Sequence, residues 1–198
     1  RMSNHVLFIG EFPPPYTGVT IKDSIIIEEI LNDEFDVIKF NLYDFKFSKW
    51  KSPLLLFQLL KSIKRAERIC VGVGHPFRTC MIFRFAKLLR GVDFQRKIVV
   101  FMMGIGTPTY LKKHPRYIKD LANGKCIYTE SDQLNKQLAD IGCYNAKYLP
   151  NFRKNDKACP PRPVGEIVRF VYFAQVRPEK GVETLIDAVK SLNFEGLQ

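Results

Sequence analysis

The stretch HVLFIGEFPPPYTGVT, from His5 to Thr20, decides how this chain is read. A strand-like run, Val6 to Gly10, enters a proline-rich turn, and a helical pattern opens at Gly18. A doubly wound sheet places its phosphate-contacting turn at the carboxyl end of a strand in such a strand–turn–helix unit. Without a Cβ, Gly18 lets backbone approach an anion closely, and the amides of Gly18, Val19 and Thr20 at the helix start are candidate donors to a phosphate oxygen. A stiff turn made by Pro13, Pro14, Pro15 and Gly18, with no ligand, stays open on these residues alone. A single glycine is much less specific than a G-x-G-x-x-G fingerprint.

Outward from that unit the alternation continues. Strand-like runs fall at Phe35 to Phe40, Arg68 to Val73, Lys97 to Met102, Lys125 to Thr129 and Ala146 to Leu149, with helical stretches between them. This predicts an α/β fold with a doubly wound parallel sheet. Helical faces are traced by Leu56, Leu59, Leu60 and Ile63, and by Leu134, Leu138 and Ile141 between Ser131 as N-cap and Gly142 as stop. After Leu149 the segment PNFRKNDKACPPRPVGE, with four prolines and a glycine, reads as an interdomain linker. Beyond it a strand is expected over Val168 to Ala174, then a turn, then a helix on Val182, Leu185, Ile186 and Val189. The predicted organisation is a Rossmann-like domain over 1–150, a linker over 151–166, and the first strand and helix of an incomplete second Rossmann-like domain over 167–198.

The chain has 198 residues, 46% of them apolar and 13% aromatic, enough to bury a sizeable core and too apolar for a disordered chain. No apolar stretch approaches the roughly 20 residues of a membrane helix. The start of the sequence lacks the order of features of a secretory signal, and Arg1, preceding Met2, carries no functional weight. Five scattered cysteines form no zinc spacing and no C-x-x-C pair, so a reducing cytoplasm is expected, with Cys70 and Cys126 as small buried hydrophobes. Neither a metal nor a cofactor is expected.

The formal charge of +11 is concentrated: Phe45 to Lys97 holds thirteen Lys and Arg against Glu67 and Asp93. Such a field attracts anions without choosing among nucleic acid, anionic lipid and phosphorylated substrate. From Phe77 to Leu89 the pattern predicts a basic amphipathic helix, with Phe77, Met81, Ile82, Phe85, Leu88 and Leu89 on one face and Arg84, Lys87 and Arg90 opposite. A sheet-packing helix with a solvated outer face explains that pattern equally. It leaves over the charge in KFSKWKSP, KSIKRAER and FQRK, where Trp50 stands between Lys49 and Lys51.

The segment FVYFAQVRPEKGVETLIDA sets Arg177 and Lys180 in a second strand-to-helix turn, with Gly181 easing the backbone. Together with PPPYTGV, YTESDQLNKQL and LPNF, it resembles the retaining glycosyltransferases of family 4, whose GT-B fold sets two Rossmann-like domains across a cleft. RPEKGVETLIDAV is the most specific part, PPPYTGV less so, and the remainder matches in its order of strands and helices.

The resemblance implies transfer of a sugar from a nucleotide-diphosphate donor to a glycan or lipid-linked acceptor, in bacterial surface polysaccharide synthesis. It implies a donor diphosphate met by Gly18, Thr17, Lys180, Arg177 and Gln175. Gln175 stands where the family usually has its arginine, leaving Arg177 as the substitute. Tyr16 and Gly104 are implied on the acceptor side. The family commonly carries a histidine before glycine where this chain has Met103 and Gly104, so His75, at the end of the preceding strand, becomes the candidate catalytic residue by topology. Helix capping is the competing role for His75.

The family's paired-glutamate segment is expected beyond Gln198, and a chain ending there is expected to be inactive alone. Partners expected besides the substrates are an anionic membrane surface, met peripherally from the cytoplasmic side, and no specific nucleic acid. A degenerate, glycosyltransferase-like binding subunit is the alternative that keeps the fold. A basic nucleic-acid-binding domain is the alternative of a different class.

Overall fold

A computed structural model describes residues 5–47, 49–104, 106–152, 172, 176 and 180–191. The chain divides into two compact units, Arg1–Asn155 and Asp156–Gln198. In the first, six strands form one sheet: β1 (His5–Gly10), β2 (Asp36–Asn41), β3 (Arg68–Gly72), β4 (Ile98–Phe101), β5 (Cys126–Thr129) and β6 (Ala146–Tyr148). Their order is β2-β1-β3-β4-β5-β6 and every neighbouring pair is parallel. Helices α1 (Gly18–Ile25), α2 (Tyr43–Phe47), α3 (Ser52–Arg65), α4 (Pro76–Arg90), α5 (Thr107–Lys113), α6 (Ile118–Ala122) and α7 (Asp132–Ala139) alternate with them. α1 runs on as a π-helical turn, Ile26–Leu31. This is the doubly wound Rossmann-like architecture that the sequence pattern predicts.

The inner strands β1, β3, β4 and β5 read as apolar runs because helices and loops cover them on both faces, whereas the edge strands β2 and β6 are partly exposed. Leu7, Ile9, Ile69, Val71, Ile98, Val100 and Ile127 point to one face, packed by Leu59 and Ile63 of α3, Phe83 of α4, Leu121 of α6 and Leu134 of α7. Val6, Phe8, Cys70 and Phe101 point to the other, packed by Ile26, Ile27 and Leu31. Each fully covered Leu, Ile or Phe contributes about 1.5–3 kcal/mol. The expected cap and stop of α7 are both present: the Leu134 N–H donates to Ser131 Oγ at 3.2 Å, and Gly142 turns the chain at φ +95°. Burial pushes the Cys70 and Cys80 thiols up to about 12 and Cys143 to about 11, so none is a nucleophile at neutral pH.

α4 departs from expectation. Its buried face is Thr79, Cys80, Ile82, Phe83 and Ala86, while Phe77 and Leu88 are exposed. Apolar residues occur on every side of the helix between its cations, so periodicity does not fix its orientation, and the smaller Thr79, Cys80 and Ala86 allow close approach to the sheet. Its cations are not a free basic face either. Arg84 and Lys87 pair with the buried Asp120 carboxylate at 3.2 and 3.4 Å, and Arg90 donates to the carbonyls of Lys64 and Ala66 at 2.6 and 2.9 Å.

In the second unit α8 (Val182–Ser191) is the described element, and the strand expected at Val168 to Ala174 falls mostly outside the described residues. Among the described residues no helix is long and apolar enough to cross a membrane.

The sheet's tightest constraint lies where β1 meets β3. Gly10 and Gly72 are register partners, and the Asp23 carboxyl of α1 lies over both, so that a Cβ on either glycine would overlap it. Gly72→Ala should therefore cost at least about 2 kcal/mol in urea unfolding. Adding Asp23→Ala should recover part of that loss. A Gly72→Ala protein as stable as the parent would refute this packing.

Candidate functional site

In a sheet of this order the connections from β1 and β3 leave toward opposite sides, and a crevice opens outside their carboxyl ends. The loop that follows β1 enters α1 through a capping box. The Thr17 N–H donates to Thr20 Oγ1 at 2.8 Å, the Thr20 N–H donates to Thr17 Oγ1 at 3.2 Å, and the Thr20 hydroxyl donates to the Pro15 carbonyl at 2.9 Å. Two expectations change here. The Thr20 amide and the Thr17 hydroxyl are engaged in the cap, which leaves Gly18 and Val19 as the first-turn amides outside the box.

Gly18 and Val19 form one wall of a cleft of about 300 Å³. Gly74 enters it from beyond β3, Met103 and Gly104 from beyond β4, Glu130 from beyond β5 and Asn151 from beyond β6. The first turn of α1 and the loops after four further parallel strands thus meet in one place. Gly104 adopts φ +101°, a conformation that favours glycine. The Lys22 ammonium, buried at the back of α1, lies 2.8 Å from Glu130 Oε1 and 5.6 Å from the centre of the Phe152 ring. Glu130 thereby enters the cleft with a paired cation behind it.

The structure brings together in one cleft Gly18 and Gly104, for which the resemblance implies donor and acceptor sides. Tyr16 is exposed and is not among the residues lining this cleft. His75 is the N-cap of α4: its Nδ1 accepts the Phe77 N–H at 3.3 Å, and its ring meets Tyr110 edge-on at 6.4 Å. That is the capping role, one residue beyond Gly74 in the cleft wall. In the second unit Lys180 is described by itself. Its carbonyl accepts the Tyr172 hydroxyl at 3.0 Å, and Gly181, at φ +72°, leads into α8. Arg177 and Gln175 lie outside the described residues. Among the described residues no group of three or more His, Cys, Asp or Glu is arranged to hold a metal ion.

Sequence reasoning passed over the polar group at the switch point. Asp23 is fully buried; its Oδ2 accepts the Glu11 N–H at 3.0 Å, and its Oδ1 has no hydrogen-bond partner. Glu11, also buried, pairs through Oε1 with Arg78 at 2.7 Å. Burial pushes the Asp23 carboxyl up to about 8; the Glu11 amide and Lys22 oppose the shift, and the Glu11 carboxylate adds to it. At pH 7 Asp23 is therefore a neutral acid. The signal was in the sequence: two strands ending in glycine, FIG and CVG, beside a helix that carries Asp at a sheet-facing position.

Compared with protein-family models, curated proteins and solved structures, the chain gives no match.

The raised Asp23 value sets a pH dependence. Above its ordinary value of 3.8 the unfolded chain loses this proton, whereas the folded chain keeps it to about 8. Stability should fall across that interval by up to roughly 1.4 kcal/mol per pH unit from this group, then level off. Asp23→Asn, which keeps the acceptor for the Glu11 amide, should flatten the decline between pH 5 and pH 8 in thermal unfolding. An unchanged slope would show that Asp23 is ionised in the fold.

Proposed function

We propose that the chain belongs to a glycosyltransferase that moves a sugar from a nucleotide-diphosphate donor to a glycan or lipid-linked acceptor. The supporting observation is the cleft at the carboxyl edge of the sheet, where the loops after four strands, β3 to β6, meet the first-turn amides of α1. Backbone N–H groups at a helix start supply fixed partial positive charge, which is what a diphosphate needs, and they do so without a metal ion. The resemblance of RPEKGVETLIDAV and PPPYTGV to family 4 glycosyltransferases supplies the substrate class.

On this reading Gly18 and Val19 approach the donor diphosphate, and Lys180 is the cation that the resemblance implies for it. Arg177 and Gln175 are the further diphosphate contacts implied by the resemblance. Departure of the nucleotide diphosphate is the step that this charge favours, since negative charge grows on the leaving oxygen. The acceptor meets the cleft from the side of Gly104. His75, with its Nδ1 committed to the cap of α4, keeps Nε2 as the atom for any contact with the acceptor hydroxyl. The reaction belongs at the cytoplasmic face of a membrane, where surface polysaccharide precursors are built.

One observation favours the second reading, a binding subunit without turnover. Met103, an apolar side chain, lines the cleft where the resembled family commonly sets a histidine. Nucleotide-sugar binding with no transfer to any acceptor would select it.

The diphosphate assignment is tested in the complete protein by calorimetric titration with a panel of nucleotide-diphosphate sugars and their nucleoside diphosphates. Lys180→Ala should weaken binding of the preferred diphosphate by roughly 10- to 100-fold, the loss expected for one charge-assisted contact. Gly18→Val should weaken it as well by blocking the amides. Unchanged affinity in both variants would remove the proposal.

A further inference from the structure

The cations of α4 are tied into the fold, but those of the preceding segment are not accompanied by acids. Between Phe45 and Ala66 the chain carries Lys46, Lys49, Lys51, Lys61, Lys64 and Arg65 and no Asp or Glu. The same segment holds large apolar side chains in water. Trp50 is 99% exposed, Phe47 64%, Phe57 62% and Leu54 55%. Isolated exposed hydrophobes are ordinary, whereas four within eleven residues of chain, on α2, the turn Lys49–Lys51 and the first half of α3, form a lip that folding leaves uncovered.

The arrangement on α3 is ordered. Leu54, Phe57, Lys61 and Lys64 follow one another at spacings of three, four and three, so they share the outer line of the helix, while Leu59 and Ile63 are buried on the opposite line. The outer line is thus apolar at its beginning and basic at its end. Behind the lip an apolar groove of about 440 Å³, floored by Phe45, Leu56, Met81 and Phe85, continues the uncovered surface inward, with Lys46 and Arg78 on its border.

We propose that the α2–α3 lip is a membrane-docking element that enters the headgroup region of an anionic leaflet, with Trp50, Phe47, Leu54 and Phe57 inserted and Lys61, Lys64 and Arg65 against lipid phosphates. Charge complementarity chooses this occupant. A second copy of the chain would set lysine against lysine, and a protein partner's interface core is depleted of lysine. A leaflet accepts both halves of the line at once, since tryptophan settles at the membrane–water boundary and lysine stems reach along apolar surface to the headgroups. The proposal does not depend on the reaction carried out in the cleft.

The test uses the chain's single tryptophan, Trp50, as its own reporter. Protein is mixed with vesicles of phosphatidylcholine alone or with an added third of phosphatidylglycerol, without nucleotide. Expected are a blue shift of Trp50 emission and quenching by lipids brominated near the headgroup, with the anionic vesicles only. Trp50→Ala, safe for folding because the side chain touches almost nothing, should reduce recovery on anionic vesicles by roughly tenfold. Lys61→Glu with Lys64→Glu should abolish the preference for anionic over neutral vesicles. Binding with unshifted Trp50 emission would overturn insertion, and so would a blue shift that grows with protein concentration in the absence of lipid, which marks self-association. No binding to either vesicle would overturn docking. Titration with nucleotides alone reads the cleft, so failure of either proposal is seen separately from failure of the other.

Discussion

The fold turns on the contact between the Asp23 carboxyl and two glycines at the ends of neighbouring strands. β1 and β3 are the pair from which the chain winds in opposite directions, so their spacing sets where the crevice opens. Gly10 and Gly72 allow α1 to bring a buried carboxyl over both strand ends, and the Glu11 amide fixes that carboxyl in return. The first turn of α1, with its capping box, is then held at the mouth of the crevice. A neutral acid serves here where a carboxylate would not. With one oxygen lacking a partner, the ionised form would meet the full cost of an unsatisfied buried charge.

How far the sequence reveals this depends on which signal each element carries. Strands were legible to within a residue or two, because buried parallel strands are short apolar runs between turn residues, and IVVF or RICVG admit few other readings. The ends of α7 were legible because a capping serine and a terminating glycine act locally. The orientation of α4 was not, since a helix with apolar residues on every side between its cations gives periodicity no single face to select. Its free basic face was illusory for a related reason: Asp120, the acid that gathers Arg84 and Lys87, lies more than thirty residues along the chain.

The candidate site was legible as segments and not as geometry. PPPYTGV, FMMG, YTESD and LPNF each contribute to the cleft through Gly18, Gly104, Glu130 and Asn151, although only the first two were singled out as residues. Reading helix-start amides as a block of three overlooked that the residue types favoured there, Thr17 and Thr20, occupy one of those amides themselves. His75 illustrates the same competition. A histidine just before Pro76 at a helix start has a backbone donor two residues on, and that local contact forms irrespective of any ligand.

The distribution of charge links the two ends of this reasoning. The formal excess over Phe45 to Lys97 does not act as one field, because part of it is spent inside the fold: Arg78 on Glu11, Arg84 and Lys87 on Asp120, Arg90 on backbone carbonyls. What remains for an outside partner is concentrated on α2 and α3. α2 begins directly after the carboxyl end of β2, and α3 leads from there back toward the start of β3. The apolar beginning of α3 therefore belongs to the same edge of the sheet as the cleft, and its basic end belongs to the other edge, about 20 Å away along a helix of fourteen residues. A flat charged surface that meets the whole outer line must lie along α3, which keeps the cleft edge beside that surface. On the proposed reading, an acceptor anchored in such a surface would have its polar end presented near the cleft without leaving the layer that holds its chain.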